Sequence, residues 1–461
     1  MNRDQKLVIT VAILASFVSF LDGTIVNVAL PAISKELGGG ITTQQWVVDA
    51  YLITLGSLIL VAGSVSDVYG RILVLRVGLI GFAVTSIAIA AAPTVEVLIV
   101  ARGFQGIAGA LLVPSALALI TSNFRGASQA KAIGLWTALT TSAAVIGPLV
   151  GGLLVDLASW RWAFLINVLP IALTLYLLVR LGHKDTRRPG VSIDFFGAVL
   201  CTLGLGGPVY ALIEQRNLGW GNPAIYLSLG LGLIAFAGFL VRQRFAKEPI
   251  MPLSLFTVRN FWAGNIATAF IYGALSLNGF AVVVYLQADD GPNFPATLAG
   301  LAALPITVIM VLFSRRVGGL SGKYGPRLFM TVGPLVMGLA ALLLLTVTND
   351  FNYWWQLLPS IVVFGVGLTL TVSPLTSAIL GSIEMERSGI ASAVNNAVSR
   401  VAGLIVIAMI AVIVGGDSIT LDGFHRAAIV TASLMIIGGL VSLGGIRNPV
   451  HEAELAEVPL N

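Results

Sequence analysis

Cysteine is nearly absent from this sequence. Cys201 stands alone, which excludes an intrachain disulfide framework and any metal site built from several thiolates. It reads as a small apolar residue inside an apolar run, with redox chemistry a poor second. Histidine is scarce as well: His183, His425 and His451 fall in connections or in the C-terminal tail, so no apolar run holds a ligand cluster for a metal. No Gly-x-x-x-x-Gly-Lys-Ser/Thr stretch occurs, so a P-loop in this chain does not hydrolyse ATP. The largest deficit is charge. Asp, Glu, Lys and Arg make up 10% of the residues, against roughly 25% in soluble domains.

Hydrocarbon takes the place of charge. With 57% hydrophobic residues and a mean hydropathy of +0.95, the chain reads as an all-α polytopic membrane protein. A net charge of +5 suggests nucleic acid only until the basic residues are located. They fall between apolar runs rather than in one patch, which fits membrane topology and leaves nucleic acid without a surface. Met1 to Lys6 precede a long apolar run without the short core and small-residue cleavage site of a cleaved signal, so the first run is expected to be retained.

Fourteen runs reach spanning length: 7–29, 44–66, 73–92, 97–120, 130–155, 161–181, 194–214, 223–243, 260–286, 296–314, 327–347, 354–380, 389–413 and 426–446, numbered here spans 1 to 14. An even number puts both termini on one side. Of the 26 Lys and Arg, all but Lys35, Arg102, Arg161, Arg216, Arg400 and Arg426 belong to segments on the side of the termini. The positive-inside rule therefore places both termini in the cytoplasm. The longest connections on that side are 182–193 and 243–259, too short for a soluble domain, so any chemistry belongs in or between spans. Gly63 to Arg71 and Gly318 to Arg327 form a weak internal repeat, which predicts spans 1–6 and 9–14 as parallel halves with spans 7 and 8 inserted. The expected division is 1–182, 183–259 and 260–461.

The run Leu21-Asp22-Gly23-Thr24-Ile25-Val26-Asn27-Val28-Ala29-Leu30-Pro31 places a carboxylate within hydrocarbon. A charge at that depth costs about 2.5 to 3.5 kcal/mol on insertion scales, so Asp22 is expected to have a task and a partner; the plainer alternative is a carboxylate buried for packing. Span 4 supplies the partner. Arg102, Gln105, Gly106, Gly109 and Ala110 share one helix face, an arginine above a strip of small residues that lets helices approach closely. Asp22 lies roughly 12 Å and Arg102 roughly 9 Å from the same membrane surface at 1.5 Å per residue, so the two can meet. Contact with arginine favours the charged carboxylate and burial the neutral one, so a change of contact between conformations would load and release a proton. A static pair that orders the bundle is the alternative.

Other candidates are less specific. Gly147, Pro148, Gly151 and Gly152 make span 5 a close-packing, kinkable helix. Gly63, Asp67, Gly70 and Arg71 form a tight turn at the membrane surface, either a charge latch or an ordinary polar loop. Ser388, Ser392, Asn395, Asn396, Ser399 and Arg400 of span 13 form a polar stripe that lines a cavity or holds helices together. Asn27 and Gln105 are further cavity candidates. Asp49, with Trp46 and Tyr51, is expected as an interfacial anchor at the start of span 2, with cavity lining second.

Together, Gly63 to Arg71, Arg102 to Ala110, Gly147 to Gly152, Leu21 to Pro31 and Trp160-Arg161-Trp162-Ala163-Phe164-Leu165-Ile166-Asn167 resemble the signatures of the major facilitator superfamily. The resemblance covers nearly the whole chain and is specifically to the fourteen-span drug:proton antiporter branch. It implies two six-helix bundles plus two extra central helices, alternating access by rocking of the bundles, and export driven by proton influx. Asp22 then matches the acidic position and Arg102 the arginine of proton coupling, Asp67 and Arg71 match the gating loop, and Gly147 to Gly152 match the antiporter motif. No enzyme activity, catalytic residue, cofactor or metal is implied. The expected partners are protons, the bilayer and lipophilic small molecules, with the protein a monomer in the bacterial cytoplasmic (inner) membrane. Two departures matter: Gly322 stands where the first half has Asp67, and spans 9–14 carry no acidic residue at membrane depth, since Asp289 and Asp290 lie at an outer end. Neutral or monocationic substrates are therefore expected rather than dications. A lipid or dedicated-metabolite exporter and a non-transporting sensor or scaffold are the competing readings. A membrane-embedded enzyme lacks a catalytic cluster.

Overall fold

The computed structural model describes residues 3–181, 193–246, 249–384 and 387–448, in which the ordered elements are helices. A helix satisfies its own backbone polar groups, as hydrocarbon requires. Thirteen helices are long and apolar enough to cross a membrane: Arg3–Leu37, Gly40–Tyr69, Arg71–Ala90, Val95–Asn123, Trp162–Leu181, Phe195–Leu218, Pro223–Phe245, Arg259–Gln287, Ala296–Tyr324, Pro326–Thr346, Tyr353–Leu380, Gly389–Ala408 and Leu421–Gly445. They correspond to spans 1–4 and 6–14.

Span 5 departs from the expected single run. It consists of two helices, Gly126–Thr141 and Ala143–Leu157, interrupted at Ser142. Hydroxyls there turn back on the preceding carbonyls, with Thr140 Oγ1 donating to Trp136 O (2.7 Å) and Ser142 Oγ to Leu139 O (2.6 Å). Such local bonds compete with the helix ladder and bend it. The connection expected at 182–193 lies outside the described residues apart from Ile193, as do His183 and His451.

The helices repeat their packing. Span 4 packs on spans 1, 2 and 3, and span 12 on spans 9, 10 and 11; span 1 packs on spans 5 and 6, and span 9 on spans 13 and 14; span 3 meets span 6, and span 11 meets span 14. Two six-helix bundles result. The turn between spans 2 and 3 is made at Gly70 (φ 107°), and its counterpart between spans 10 and 11 at Gly325 (φ 81°). Both need the left-handed region that glycine adopts without penalty.

The bundles meet where span 2 lies on span 13 and span 5 on span 10. Spans 7 and 8 form a hairpin, and span 7 covers the seam between spans 2 and 13. Arg259 Nε donates to Gly445 O (3.0 Å) and Arg327 N to Asn448 Oδ1 (3.1 Å), gathering one end of the molecule around the last helix. We call this the terminal end and its opposite the distal end. Hydrogen bonds between the bundles concentrate at the distal end. There Ile41 N donates to Asp417 O (3.2 Å), Gln45 Nε2 to Ile407 O (2.9 Å) and Ala408 O (2.8 Å), and Ala296 N and Thr297 N to the Asp156 carboxylate (3.0 and 2.8 Å). Arg216 of span 7 adds an ion pair to Asp417 (3.2 Å).

Candidate functional site

Asp22 sits near the middle of span 1 with no exposed surface, and Arg102 reaches it from span 4. Arg102 Nη1 donates to Asp22 Oδ2 (2.6 Å) and to Gln105 Oε1 (2.6 Å), while Nε donates to Val47 O of span 2 (2.8 Å). The guanidinium also lies over the rings of Tyr51 (4.3 Å) and Phe164 (5.8 Å). On the other carboxylate oxygen, Asn167 Nδ2 of span 6 donates at 3.0 Å and Gln105 Nε2 at 3.4 Å. Gln105 Nε2 also donates to Ser86 Oγ of span 3 (2.9 Å). Spans 4 and 6 thus bond the carboxylate of span 1, and spans 2 and 3 hold the groups that do.

A buried ion pair holds only if its remaining polar atoms are also bonded. Here the i, i+3 spacing of Arg102 and Gln105 puts both on one face, so the arginine is oriented by its own helix. Of the expected cavity residues, Gln105 is therefore reassigned. It is fully buried in the ion-pair network and absent from the cavity wall, because the amide that faces Asp22 and Ser86 is turned away from the opening.

That cavity, about 310 Å³, lies between the bundles. Asn27, Asn395, Asn396 and Arg400 line it, together with Phe20 and Tyr272. Asn395 is steadied by span 9, donating to Asn265 Oδ1 (3.1 Å) and Thr268 Oγ1 (2.8 Å). Arg102 also borders the space, so the ion pair and the cavity share a wall.

Span 5 wedges between span 1 and span 10. A Cβ at Gly147 would collide with the Thr24 side chain, one at Gly151 with Ile25 and Val28, and one at Gly152 would lie 2.5 Å from Thr297 Cα in the opposite bundle. Gly300 of span 10 returns the contact, pressed on the Pro148 carbonyl. The four residues Gly147, Pro148, Gly151 and Gly152 thus join Asp22's own helix to the bundle interface. At the terminal end Arg71 Nη2 binds Asp67 Oδ1 (3.1 Å) across Gly70, while Gly63 faces open space.

Asp49 and Tyr51 are not interfacial anchors. Asp49 has no exposed surface and Tyr51 is 2% exposed; span 7 covers one face of span 2, and Tyr51 turns inward, its hydroxyl 3.3 Å from Ser19 Oγ of span 1 and its ring beneath the Arg102 guanidinium. Trp46 lies on the covered face, bonded to Glu214 Oε1 (2.7 Å) and near the Tyr210 ring of span 7. Neither carboxylate oxygen of Asp49 has a hydrogen-bond partner among the described residues. Asn167 and Ser86 went unassigned in the sequence reading. Ser86 is signalled only as a polar residue within an apolar run and Asn167 only as the end of the Trp160–Asn167 signature, and their partner lies far away in sequence. Trp160 and Arg161, at the start of span 6, both bind Glu36 at the end of span 1 (2.7 and 2.5 Å), which fixes Asn167 in register with Asp22.

Residues 12–407 match the family model described as Major Facilitator Superfamily. The chain belongs to the major facilitator superfamily. Among its relatives, the methylenomycin A resistance protein of Bacillus subtilis (strain 168) is 33% identical over 88% of this chain and 87% of the relative. Multidrug resistance protein Stp of Mycobacterium tuberculosis (strain CDC 1551 / Oshkosh) is 32% identical over 98% and 87%. The tetracenomycin C resistance and export protein of Streptomyces glaucescens is 32% identical over 85% and 73%. This facilitator is thus related to the fourteen-span drug-resistance branch. Solved structures agree on the fold. A peptide transporter POT in complex with sulfate superposes with a TM-score of 0.69 at 16% identity over 95% of this chain and 94% of that one. A bacterial homolog to the human lysosomal transporter Spinster gives 0.70 at 15% over 98% and 100%.

Proposed function

We propose that this facilitator is a proton-coupled efflux transporter for lipophilic, drug-like compounds, working by alternating access in a bacterial cytoplasmic membrane as a monomer with both termini inside. The observation that carries the reading is the Asp22–Arg102 pair, fully buried and sharing a wall with the cavity between the bundles. Its relatives' names supply the substrate class in outline. Bundles 1–182 and 260–461 rock about the cavity, and residues 183–259 follow as the covering hairpin and linkers. Closure of the distal end is held by Gln45, Asp156 and Asp417; the Asp67–Arg71 pair belongs to the opposite gate.

In this mechanism Asp22 takes up a proton when the distal side is open and releases it toward the cytoplasm when Arg102 draws close. Each proton moving inward contributes about 2.3 kcal/mol per 100 mV of membrane potential. Proton and substrate must favour different conformations, because equal affinity for both shifts nothing. Of the neutral and monocationic substrates expected, the monocationic kind is disfavoured by a cavity whose described lining residues include no Asp or Glu. Dye accumulation in energised cells tests the reading. Wild type lowers accumulation and a protonophore restores it, while Asp22→Asn reaches the membrane in equal amount and exports nothing. Export by Asp22→Asn at the wild-type rate would overturn the assignment of Asp22.

A further inference from the structure

Among the described residues, the charged side chains in the cavity wall are two arginines with unlike surroundings. Arg102 is committed to Asp22, Gln105 and the Val47 carbonyl. Arg400 is not. Its guanidinium carbon lies 5.9 Å from the Phe20 ring, and no hydrogen bond or carboxylate engages it among the described residues. The stem of Arg400 crosses the seam between the bundles, 3.6 Å from where a Cβ on Gly56 would lie. The head therefore faces the space from one bundle while Phe20, Asn27 and Tyr51 face it from the other.

We propose that Arg400 makes this cavity a site for lipophilic monoanions, compounds with an aromatic or aliphatic body and one ionised carboxylate or acidic phenol. A guanidinium carries planar donors matched to a carboxylate, and such bidentate bonds are stronger than neutral ones. Half-buried, and with no carboxylate against it among the described residues, it gains from a ligand that brings one. The rings of Phe20, Tyr51 and Tyr272 offer apolar faces for the body, and Asn27 and Asn396 add donors and acceptors around the head group. A cation entering the same space meets two positive charges and one counter-charge, the latter turned toward Arg102. The volume of about 310 Å³ suits a ligand of one or two fused rings.

The inference rests on reading this cavity as the export site, and binding separates the two claims from transport. Naphthoate, naphthamide and naphthylmethylammonium share one ring system and differ in charge. Equilibrium dialysis against purified full-length protein, read by naphthalene fluorescence, gives their relative affinities. Wild type should bind naphthoate roughly tenfold or more tightly than the ammonium compound. In Arg400→Gln, whose thermal midpoint should stay close to wild type because only the distant Phe20 contact is lost and no hydrogen bond or ion pair to a described residue, that preference should collapse while naphthamide binding holds. Arg400→Lys, which keeps the charge without the fork, should lie between. Equal naphthoate affinity in wild type and Arg400→Gln overturns the proposal, as does a wild-type preference for the cation. If naphthoate binding depends on Arg400 but energised vesicles move no probe, the anion site stands and the transport reading falls. Proton-driven flux of naphthamide alone, with no naphthoate binding, leaves transport standing and removes the anion site.

Discussion

At the scale of single residues, the buried carboxylates Asp22 and Asp49 are in opposite situations. Asp22 accepts from three side chains, so removing one partner leaves an uncompensated charge in a dry interior. Arg102→Ala should lower stability by about 3 to 5 kcal/mol, and adding Asp22→Asn to it should recover most of that loss. Thermal unfolding of the two variants in detergent is the measurement. A double variant no more stable than Arg102→Ala would mean that the arginine contributes through packing rather than through the carboxylate. Asp49 presents two buried oxygens to no hydrogen-bond partner among the described residues. Because Asn keeps the shape and removes the charge, Asp49→Asn should leave the thermal midpoint unchanged or raise it; a clear fall would reveal a bonding group that this conformation does not bring to it. The Asp22 pair was legible in the sequence, since depth along two apolar runs is simple arithmetic. Asn167 was not, since a polar residue in a span does not name its partner.

At the scale of elements, the second helix of span 5 decides how tightly the distal end closes. Gly152 lies against the backbone at Thr297, where no rotamer change makes room for a side chain. Gly152→Val should insert normally yet fail to transport, because the closed distal state is sterically barred; dye accumulation with surface quantification reads this. Asp156 acts on the same joint by capping the first N–H groups of span 10. Loss of such a cap costs about 0.5 to 2 kcal/mol, so Asp156→Ala should shift the balance toward distal opening. In a Cys201→Ala background, Thr297→Cys should then react faster with a membrane-impermeant maleimide applied from the distal side than it does with Asp156 intact. Equal rates would assign closure to other contacts. The sequence predicted a close-packing helix here from Gly147 and Gly151. It held no sign that Gly152 faces the other bundle, nor that the span is interrupted at Ser142.

At the scale of the whole molecule, the distal end carries the bonds between bundles, and the seam of spans 2 and 13 is roofed by the span 7–8 hairpin. If both termini lie in the cytoplasm, tags at either end should resist protease added to intact cells and be cleaved once the membrane is opened. Cleavage of one tag alone would break the even crossing number. Composition and the spacing of apolar runs by themselves determined the solvent, the helical class and the pairing of Asp22 with Arg102. Each follows from distances along one helix or from the cost of charge in hydrocarbon. Only the tertiary structure decided that Gln105 serves the ion pair, that Arg400 stands in the cavity with no hydrogen-bond or ionic partner among the described residues, and that Asp49 and Tyr51 are interior rather than interfacial. Which face of a helix is covered depends on neighbours hundreds of residues away, and in a chain where nearly every face is apolar, hydrophobic periodicity does not distinguish protein from lipid.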